Sequence, residues 1–349
     1  MKLGMIGAGS IAANHLKAFA ANPDAEVVMI ADVCENLAKG RAEAFNIAKY
    51  CTDYKELLKD DSIEAVSIAT PTFTHTQIVC DALAAGKHVL CEKPPALTSA
   101  EVQQCVDAAE KAGKILMYGL VLHFTDYFDY LKEYADKGGF GKIYAAEATR
   151  KSRSTSLSGW FVDKKRAGGG MLMDAAIHEV DFAMAMMNYP KPKSILAYTS
   201  NINADLPSRL KGGPSGWKSA TGEVCERTVE SMANGFVTFE NDACLTIRTS
   251  HIQFTKAGRS IEISGEKAGA RIEGHAGEIN MVKVDENGYM TDYHPGVAKG
   301  DPFQKQMNHF VDCCVNGTEC CIKPENVVAL MTVMENLYKS AELGKAIEF

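Results

Sequence analysis

Short apolar runs alternate with amphipathic stretches along the first third of the chain. The apolar runs predict strands at 2–6, 26–30, 63–69, 88–91 and 114–118. Between them, apolar positions recur with helical spacing and predict helices at 12–20, 75–85 and 99–112. A strand followed by a helix, repeated in this way, is typical of a doubly wound parallel sheet.

The pattern changes after residue 120. A helix is predicted at 123–137, and strand-like runs joined by turns follow at 142–149, 194–200, 230–240, 244–250, 259–264, 270–273 and 279–284. Helical patterns at 303–315 and 324–343 close the chain. We therefore expect an α/β protein with a parallel-sheet domain at 1–120 and an α+β domain with a large, mainly antiparallel sheet at 121–349. The long loop 201–225 is a candidate lid or subunit contact.

A glycine-rich turn joins the first strand to the first helix with no spacer. Its residues fit the G-x-G-x-x-A fingerprint of dinucleotide binding. The first glycine permits a tight turn, the second lets a pyrophosphate approach the backbone, and the alanine lets the helix pack on the strand. The helix N-terminus offers N–H groups and a partial positive charge to phosphates. The predicted phosphate-binding residues are Gly7, Gly9, Ser10, Ile11 and Ala12.

Asp32 follows the second strand, 20 residues after Ala12. A carboxylate at this place accepts hydrogen bonds from the adenosine ribose hydroxyls. Residues 33–35 include no cation for a 2′-phosphate, so the expected cofactor is NAD rather than NADP. Lys39 and Arg41 on the following helix keep NADP open as the alternative.

Polar residues also follow the later strands of the first domain. In a parallel doubly wound sheet, ligands bind at the carboxyl ends of the strands. Lys93 follows the strand at 88–91, so we expect it to point into the cofactor crevice. Tyr118 lies at the carboxyl end of the last strand, at 114–118. The further residues predicted to contact the cofactor are Thr70, Pro71, His75 and Glu92.

In the second domain, an apolar helix predicted at 171–187 follows three glycines at 168–170. Its acidic and histidine side chains are Asp174, His178, Glu179 and Asp181. Asp174 and His178 are four residues apart and share a helix face. Such groups form structural hydrogen bonds inside a core, or they form a catalytic pair. The glycines, which are expected to leave room for substrate, favour the catalytic interpretation.

Composition narrows the partners. The 349 residues carry a net charge of −7, which argues against nucleic acid. No apolar run reaches the length of a membrane span, and the absence of an export-signal pattern predicts a cytoplasmic protein. The 11 cysteines are interpreted as reduced core thiols. The densest cluster, Cys313, Cys314, Cys320 and Cys321, lacks C-x-x-C spacing, so no metal site is expected.

Four motifs carry a family resemblance: ATPTFTH at 69–75, AAGKHV at 84–89, EKP at 92–94 and GGGxLxDxxxH at 168–178. Together they resemble the glucose–fructose oxidoreductase, inositol dehydrogenase and rhizopine catabolism (Gfo/Idh/MocA) family of NAD(P)-dependent oxidoreductases. The resemblance implies a Rossmann domain, and a second domain whose open sheet face forms a homodimer or homotetramer. It also implies that Lys93 lies beside the nicotinamide, that Asp174 and His178 join it, and that the substrate is a sugar, glycoside or cyclitol.

The expected reaction is oxidation of a secondary hydroxyl to a ketone, or the reverse. Histidine ordinarily titrates near neutrality, so His178 is expected to act as the base, while Asp174 would orient its ring and Lys93 would stabilise charge on the reacting oxygen. The other candidate substrate contacts are Tyr118, His123, Arg150, Arg153, Trp160 and Arg166. Residues 121–124 depart from the family's frequent asparagine or arginine motif, so His123 is particular to this chain.

Two alternatives stay open. Some proteins that resemble this family keep NAD tightly bound and cleave or epimerise sugars without net oxidation. Others, such as the galactose-pathway co-repressor, have the fold but sense a ligand without turnover. Retention of Lys93, Asp174 and His178 together counts against the second alternative.

Overall fold

The computed structural model describes residues 1–153, 157–202 and 222–349. Most of the candidate loop 201–225 therefore lies outside the described residues. The chain forms two compact units. The first comprises Met1–Phe124 and Asp301–Val328, and the second comprises Thr125–Gly300 and Ala329–Phe349. The sequence-based domain limits, 1–120 and 121–349, stay a prediction.

A six-stranded parallel sheet forms the centre of the first unit, with the strand order β3-β2-β1-β4-β5-β6. Its strands are β1 (Lys2–Ile6), β2 (Glu26–Ala31), β3 (Lys49–Cys51), β4 (Ala65–Ile68), β5 (His88–Cys91) and β6 (Leu116–Tyr118). Its helices are α1 (Ser10–Ala20), α2 (Glu35–Ala44), α3 (Tyr54–Leu58), α4 (His75–Ala84), α5 (Ser99–Ala112) and α9 (Pro302–Asn316), with 3₁₀ turns at Thr72–Thr74 and Val121–Phe124. The strand order reverses between β1 and β4, which is where doubly wound sheets bind ligands.

Local signals explain where the helices begin and end. The Thr98 hydroxyl accepts a hydrogen bond from Glu101 N and caps α5, while Gly113, in the left-handed region at φ +61°, ends it. Asp301 and Gly317 do the same for α9. The predicted bounds of these two helices, 99–112 and 303–315, agree with the observed ones to within one residue.

The second unit contains a nine-stranded sheet in the order β14-β13-β12-β11-β7-β10-β9-β8-β15. Its strands are β7 (Ile143–Lys151), β8 (Pro192–Ser200), β9 (Met232–Phe239), β10 (Cys244–Ser250), β11 (Gly258–Gly265), β12 (Ala268–Glu273), β13 (Glu278–Val284), β14 (Met290–Tyr293) and β15 (Ile347–Glu348). The helices are α6 (Asp126–Asp136), α7 (Lys164–Ala167), α8 (Ile177–Met186) and most of α10 (Pro324–Leu343), with a 3₁₀ turn at Gly159–Val162. Neighbouring strands are antiparallel, except that β7 and β10 are parallel. The predicted fold class is confirmed.

Two predicted helices differ in detail. The stretch predicted as one helix at 123–137 is a 3₁₀ turn followed by α6, because the Thr125 side chain caps α6 by accepting from Phe128 N. The helix predicted at 171–187 begins as a π-helical segment, Leu172–Ala176, and continues as α8. The short strands β3, β14 and β15 were not predicted. None of the helices in the described ranges is long and apolar enough to span a membrane.

Candidate active site

The glycine turn after β1 has one position that is closely packed and one that is open. Gly7 has φ +99°, and a Cβ there would lie 2.4 Å from the Ala69 carbonyl oxygen. Around Gly9, in contrast, a Cβ would meet nothing within 4 Å. No side chain among the described residues caps α1, so its first N–H groups face this space. Space and unpaired donors together form a suitable cradle for a phosphate.

The remaining residues of the predicted phosphate site occupy the start of α1. Ser10 is exposed, and Ile11 is half-buried against the core of the first unit. Ala12 is fully buried in the cluster that contains Met5 and Ile30. Its small side chain lets the helix pack against the strands.

Two charged side chains hold this turn. The Asp32 carboxylate accepts hydrogen bonds from Ala8 N and Cys34 N, both at 2.8 Å. Arg41 donates from Nε to the Ala8 carbonyl at 3.3 Å and from a terminal nitrogen to the Gly9 carbonyl at 3.2 Å. The Arg41 guanidinium is therefore engaged by the turn itself.

His75 ties together the loops that follow β4 and β5. The ring is fully buried, with Nδ1 2.8 Å from the Pro94 carbonyl oxygen and Nε2 2.8 Å from that of Thr70. Burial lowers the pKa of His75. The Thr74 hydroxyl completes the first loop by donating to the Pro71 carbonyl.

Glu92 is buried beneath Lys93. Its Oε1 lies 2.8 Å from His15 Nε2, and its Oε2 accepts from Lys93 N at 3.1 Å. The other ring nitrogen of His15 lies 2.8 Å from the Ser67 hydroxyl. This buried row of polar groups fixes the backbone that presents the half-buried Lys93 at the carboxyl end of β5.

Tyr118 and His123, which were predicted to contact substrate, both lie in the first unit. Tyr118 is fully buried near the thiols of Cys91 and Cys105, and burial raises the pKa of its hydroxyl. His123 is also buried, in the 3₁₀ turn that precedes α6. Their predicted role stays a prediction.

In the second unit, the stretch 171–187 has a single accessible face. Asp174, Ala175 and His178 are half-buried, and every other residue of this stretch is buried. The two predicted catalytic side chains are therefore also the two accessible polar side chains.

Glu230 fixes the start of this stretch. Its buried carboxylate accepts from Gly170 N at 2.8 Å, Leu172 N at 3.3 Å and the Tyr338 hydroxyl at 2.9 Å. Burial raises the pKa of Glu230, and these hydrogen bonds oppose the shift. A Cβ on Gly169 or Gly170 would collide with Tyr338 or Glu230. The two glycines thus admit these side chains, whereas the sequence suggested that they leave room for substrate.

The other polar residues of α8 have structural partners. Glu179 Oε1 is 2.8 Å from Arg259 Nε and 3.3 Å from a terminal nitrogen of Arg150. Asp181 accepts from the Tyr189 hydroxyl at 2.6 Å. Arg150, predicted to contact substrate, thus shares a buried carboxylate with Arg259.

The three remaining substrate candidates also have protein partners. Trp160 stacks on Phe161, with ring centroids 3.9 Å apart, against a hydrophobic cluster. Arg166 pairs with Glu223, and Arg153 donates to the Thr255 carbonyl. Their roles toward substrate stay predictions.

His251 adds an unpredicted group near Asp174. It directly follows β10 and is 1% exposed, and neither ring nitrogen has a hydrogen-bond partner in the described part of the chain. Burial lowers its pKa to about 4; the charge of Asp174 opposes this shift and that of Arg227 adds to it. At neutral pH His251 is therefore an uncharged imidazole, with one donor and one acceptor nitrogen.

Comparison with known proteins identifies the family. Residues 1–120 match the family model described as "Oxidoreductase family, NAD-binding Rossmann fold", and residues 128–271 match the "GFO/IDH/MocA C-terminal domain". The two matches together span most of the chain, in the order expected for the family. The chain belongs to the Gfo/Idh/MocA oxidoreductase family.

Relatives within the Gfo/Idh/MocA family extend this result. D-glucoside 3-dehydrogenase of Escherichia coli K12 is 29% identical over 356 residues, covering 100% of this chain and 97% of the relative. Myo-inositol 2-dehydrogenase of Thermotoga maritima is 32% identical over 187 residues, covering 54% of this chain and 55% of the relative. The predicted family and oxidoreductase class are confirmed.

Solved structures share the fold. Levoglucosan dehydrogenase in complex with NADH has a TM-score of 0.86 at 20% identity and covers 100% of this chain and 98% of that structure. An aldose-aldose oxidoreductase from Caulobacter crescentus, complexed with glycerol, has a TM-score of 0.83 at 21% identity. The match covers 100% of this chain and 99% of that structure.

Sequence reasoning missed three polar residues of this Gfo/Idh/MocA chain. His15 had a local signal, since it is a histidine beside the apolar positions Ala12, Leu16 and Phe19 of α1. Glu230 lies just before β9 and His251 just after β10. Both are far along the chain from the groups that they act on, Gly170 and Asp174. Their roles depend on tertiary contacts.

Proposed function

We propose that this protein oxidises a secondary hydroxyl of a sugar, glycoside or cyclitol to a ketone, or catalyses the reverse reaction, with NAD as the hydride carrier. The observation that carries the proposal is the accessible face of 171–187, on which Asp174 and His178 are the only polar side chains. The similarity to D-glucoside 3-dehydrogenase over the whole chain supports the substrate class.

The residues of the glycine turn fit a dinucleotide. The open space at Gly9 and the uncapped start of α1 suit the pyrophosphate. Asp32 keeps lone pairs for ribose hydroxyls and would repel a 2′-phosphate. Because Arg41 is engaged by the carbonyls of the turn, we propose NAD rather than NADP.

The protein side chains would accept the hydroxyl proton and stabilise the negative charge that develops on the reacting oxygen. When bound, NAD supplies the hydride acceptor. His178 removes the hydroxyl proton, and Asp174 orients the imidazole and stabilises its cationic form. Lys93 donates a hydrogen bond to the reacting oxygen and stabilises negative charge there.

His251 supplements the predicted substrate contacts. A neutral imidazole matches a hydroxyl group, which both donates and accepts, so we assign it a neighbouring hydroxyl of the substrate. His123, Arg150 and Trp160 remain candidate substrate contacts, whereas Tyr118 is the weakest candidate because its hydroxyl is enclosed.

We also propose that the protein forms a homodimer or homotetramer and is located in the cytoplasm.

A substrate panel tests the proposal. Purified protein is mixed with sugars, glycosides or cyclitols and either NAD or NADP, and absorbance of the reduced cofactor is recorded. We expect NADH formation with a subset of these compounds. Tight NAD binding with turnover but no NADH release would favour the redox-neutral alternative instead.

A further inference from the structure

A histidine and two cysteines lie close together near the end of α9, in a part of the chain that follows the residues proposed for catalysis. Nε2 of His309 lies 3.4 Å from Cys313 Sγ. The ligand atoms of His309, Cys313 and Cys320 all lie within 4.8 Å of one another. The cluster lies entirely within the first unit.

The local fold explains the convergence. His309 and Cys313 are four residues apart on α9 and therefore share a face. Gly317, at φ +71°, ends the helix, and the Asp312 carboxylate accepts from the Thr318 hydroxyl. The chain thereby turns back and brings Cys320 to the same face.

The distances fit a tetrahedral metal. With Zn–N bonds of about 2.0 Å and Zn–S bonds of about 2.3 Å at the tetrahedral angle, a nitrogen and a sulfur on one zinc ion lie about 3.5 Å apart. The pair His309 and Cys313 is already close to this spacing. Cys321 N also donates to His309 Nε2 at 3.0 Å, and coordination through Nε2 would replace that hydrogen bond.

We propose that His309, Cys313 and Cys320 bind a zinc ion. Thiolate and imidazole ligands suit this borderline-soft ion, whereas Mg²⁺ and Ca²⁺ require oxygen ligands. A water molecule or the exposed Cys321, next to Cys320 in the turn, would supply the fourth ligand. The ion would lock the end of α9 to the turn that leads into α10, a structural role separate from hydride transfer.

The sequence argued against such a site because the four cysteines lack C-x-x-C spacing. The structure resolves that objection, since it uses one cysteine from each adjacent pair and adds a histidine. Cys314, beside Cys313 on α9, is not part of the cluster. It therefore supplies a matched control.

The test is zinc content of the full-length protein, purified under reducing conditions from zinc-supplemented medium and measured by plasma mass spectrometry. We expect about one zinc per chain in the wild type and in Cys314→Ser, and loss of most of it in Cys313→Ser and Cys320→Ser. Cobalt added to the zinc-stripped wild type should give the visible bands of tetrahedral Co²⁺ with a thiolate charge-transfer band.

NADH binding by each variant shows whether its first unit is folded. Cys320 lies in the turn and is half-buried, so its serine variant keeps the test valid even where Cys313→Ser fails to fold. Wild-type protein with no more zinc than Cys320→Ser, or equal loss in Cys314→Ser, overturns the proposal. So does a Cys313–Cys320 disulfide in the freshly purified chain.

Discussion

His251 shows how a single residue can carry a cost in stability that a bound substrate would relieve. Its imidazole is 1% exposed, and both nitrogens lack partners in the described part of the chain. A buried polar group without a partner costs about 1–3 kcal/mol. A core position under selection for stability alone would favour an apolar side chain. The charge of Asp174 acts on the same ring, so His251 is within electrostatic reach of the proposed catalytic pair.

Replacing His251 by leucine should therefore separate stability from substrate binding. We expect His251→Leu to raise the free energy of unfolding by about 1 kcal/mol, because no polar group remains buried without a partner. KM for the sugar should rise up to about tenfold with a smaller change in kcat, since one neutral hydrogen bond is lost. Urea unfolding and steady-state kinetics measure both effects. A less stable variant with unchanged KM would mean that His251 has only a structural role.

The same residue predicts a pH dependence of stability. The pKa of His251 falls from 6.5 in the unfolded chain to about 4 in the folded protein. Between these values only the unfolded state binds the extra proton, so His251 adds no pH dependence above pH 6.5 and lowers the stability of the folded protein as the pH falls toward 4. Unfolding free energies measured across this range should fall less steeply in His251→Leu. Equal slopes in the two proteins would contradict the assigned burial.

Among the elements, the strand–turn–helix unit at the start of the chain combines folding and binding in one short stretch. Gly7 is required by the backbone, since its φ is +99° and the Ala69 carbonyl leaves no space for a Cβ. Gly9 has neither constraint. The sequence motif shows both glycines but cannot tell these roles apart.

Alanine at each glycine tests this difference. Gly9→Ala should unfold at a temperature close to that of the wild type yet bind NADH at least about tenfold more weakly, because its methyl group enters the phosphate space. Gly7→Ala should lose stability, because the added Cβ meets backbone. Thermal unfolding and NADH fluorescence titration make the comparison. An unchanged NADH affinity in Gly9→Ala would show that the phosphates of the cofactor do not bind at this turn.

At the scale of the whole molecule, the nine-stranded sheet leaves apolar side chains exposed. Leu196 of β8 is 51% exposed and pairs in register with Phe236 of β9, which is 45% exposed; Tyr198 is 62% exposed. Side chains two residues apart on a strand lie on the same face. A group of this kind on one face suits contact with a second copy of the chain.

A charge on that face should disrupt the assembly. We expect Phe236→Lys to lower the solution mass from that of an oligomer to that of a monomer, because a lysine would be buried without a partner in the interface. Analytical ultracentrifugation measures the mass, and Tyr289→Lys, at a position 71% exposed in a turn before β14, serves as the control. An unchanged oligomer in Phe236→Lys would assign the interface to another surface.

Sequence patterns predicted most elements because their signals are local. The helix predicted at 99–112 from its apolar spacing coincides with α5, which the Thr98 cap and Gly113 bound in the fold. The parallel pairing of β7 with β10 had no such signal, since the hairpin-like spacing of the strands favours antiparallel neighbours. Glu230 reaches Gly170 across 60 residues of chain, a contact that arises only when the sheet assembles. The same limit explains why the role of His251 escaped sequence reasoning.

The central claim is that His178, oriented by Asp174, removes the hydroxyl proton as hydride leaves the carbon that bears the hydroxyl. The most direct measurement is kcat for NADH formation with the best substrate of the panel, comparing wild type, His178→Ala, Lys93→Met and a control, His294→Ala. His294 is an exposed histidine directly after β14. Removing a general base typically costs about 10²- to 10⁴-fold, so we expect a loss of this size in His178→Ala, a comparable loss in Lys93→Met, and little change in the control. Unchanged turnover in both His178→Ala and Lys93→Met would contradict the account.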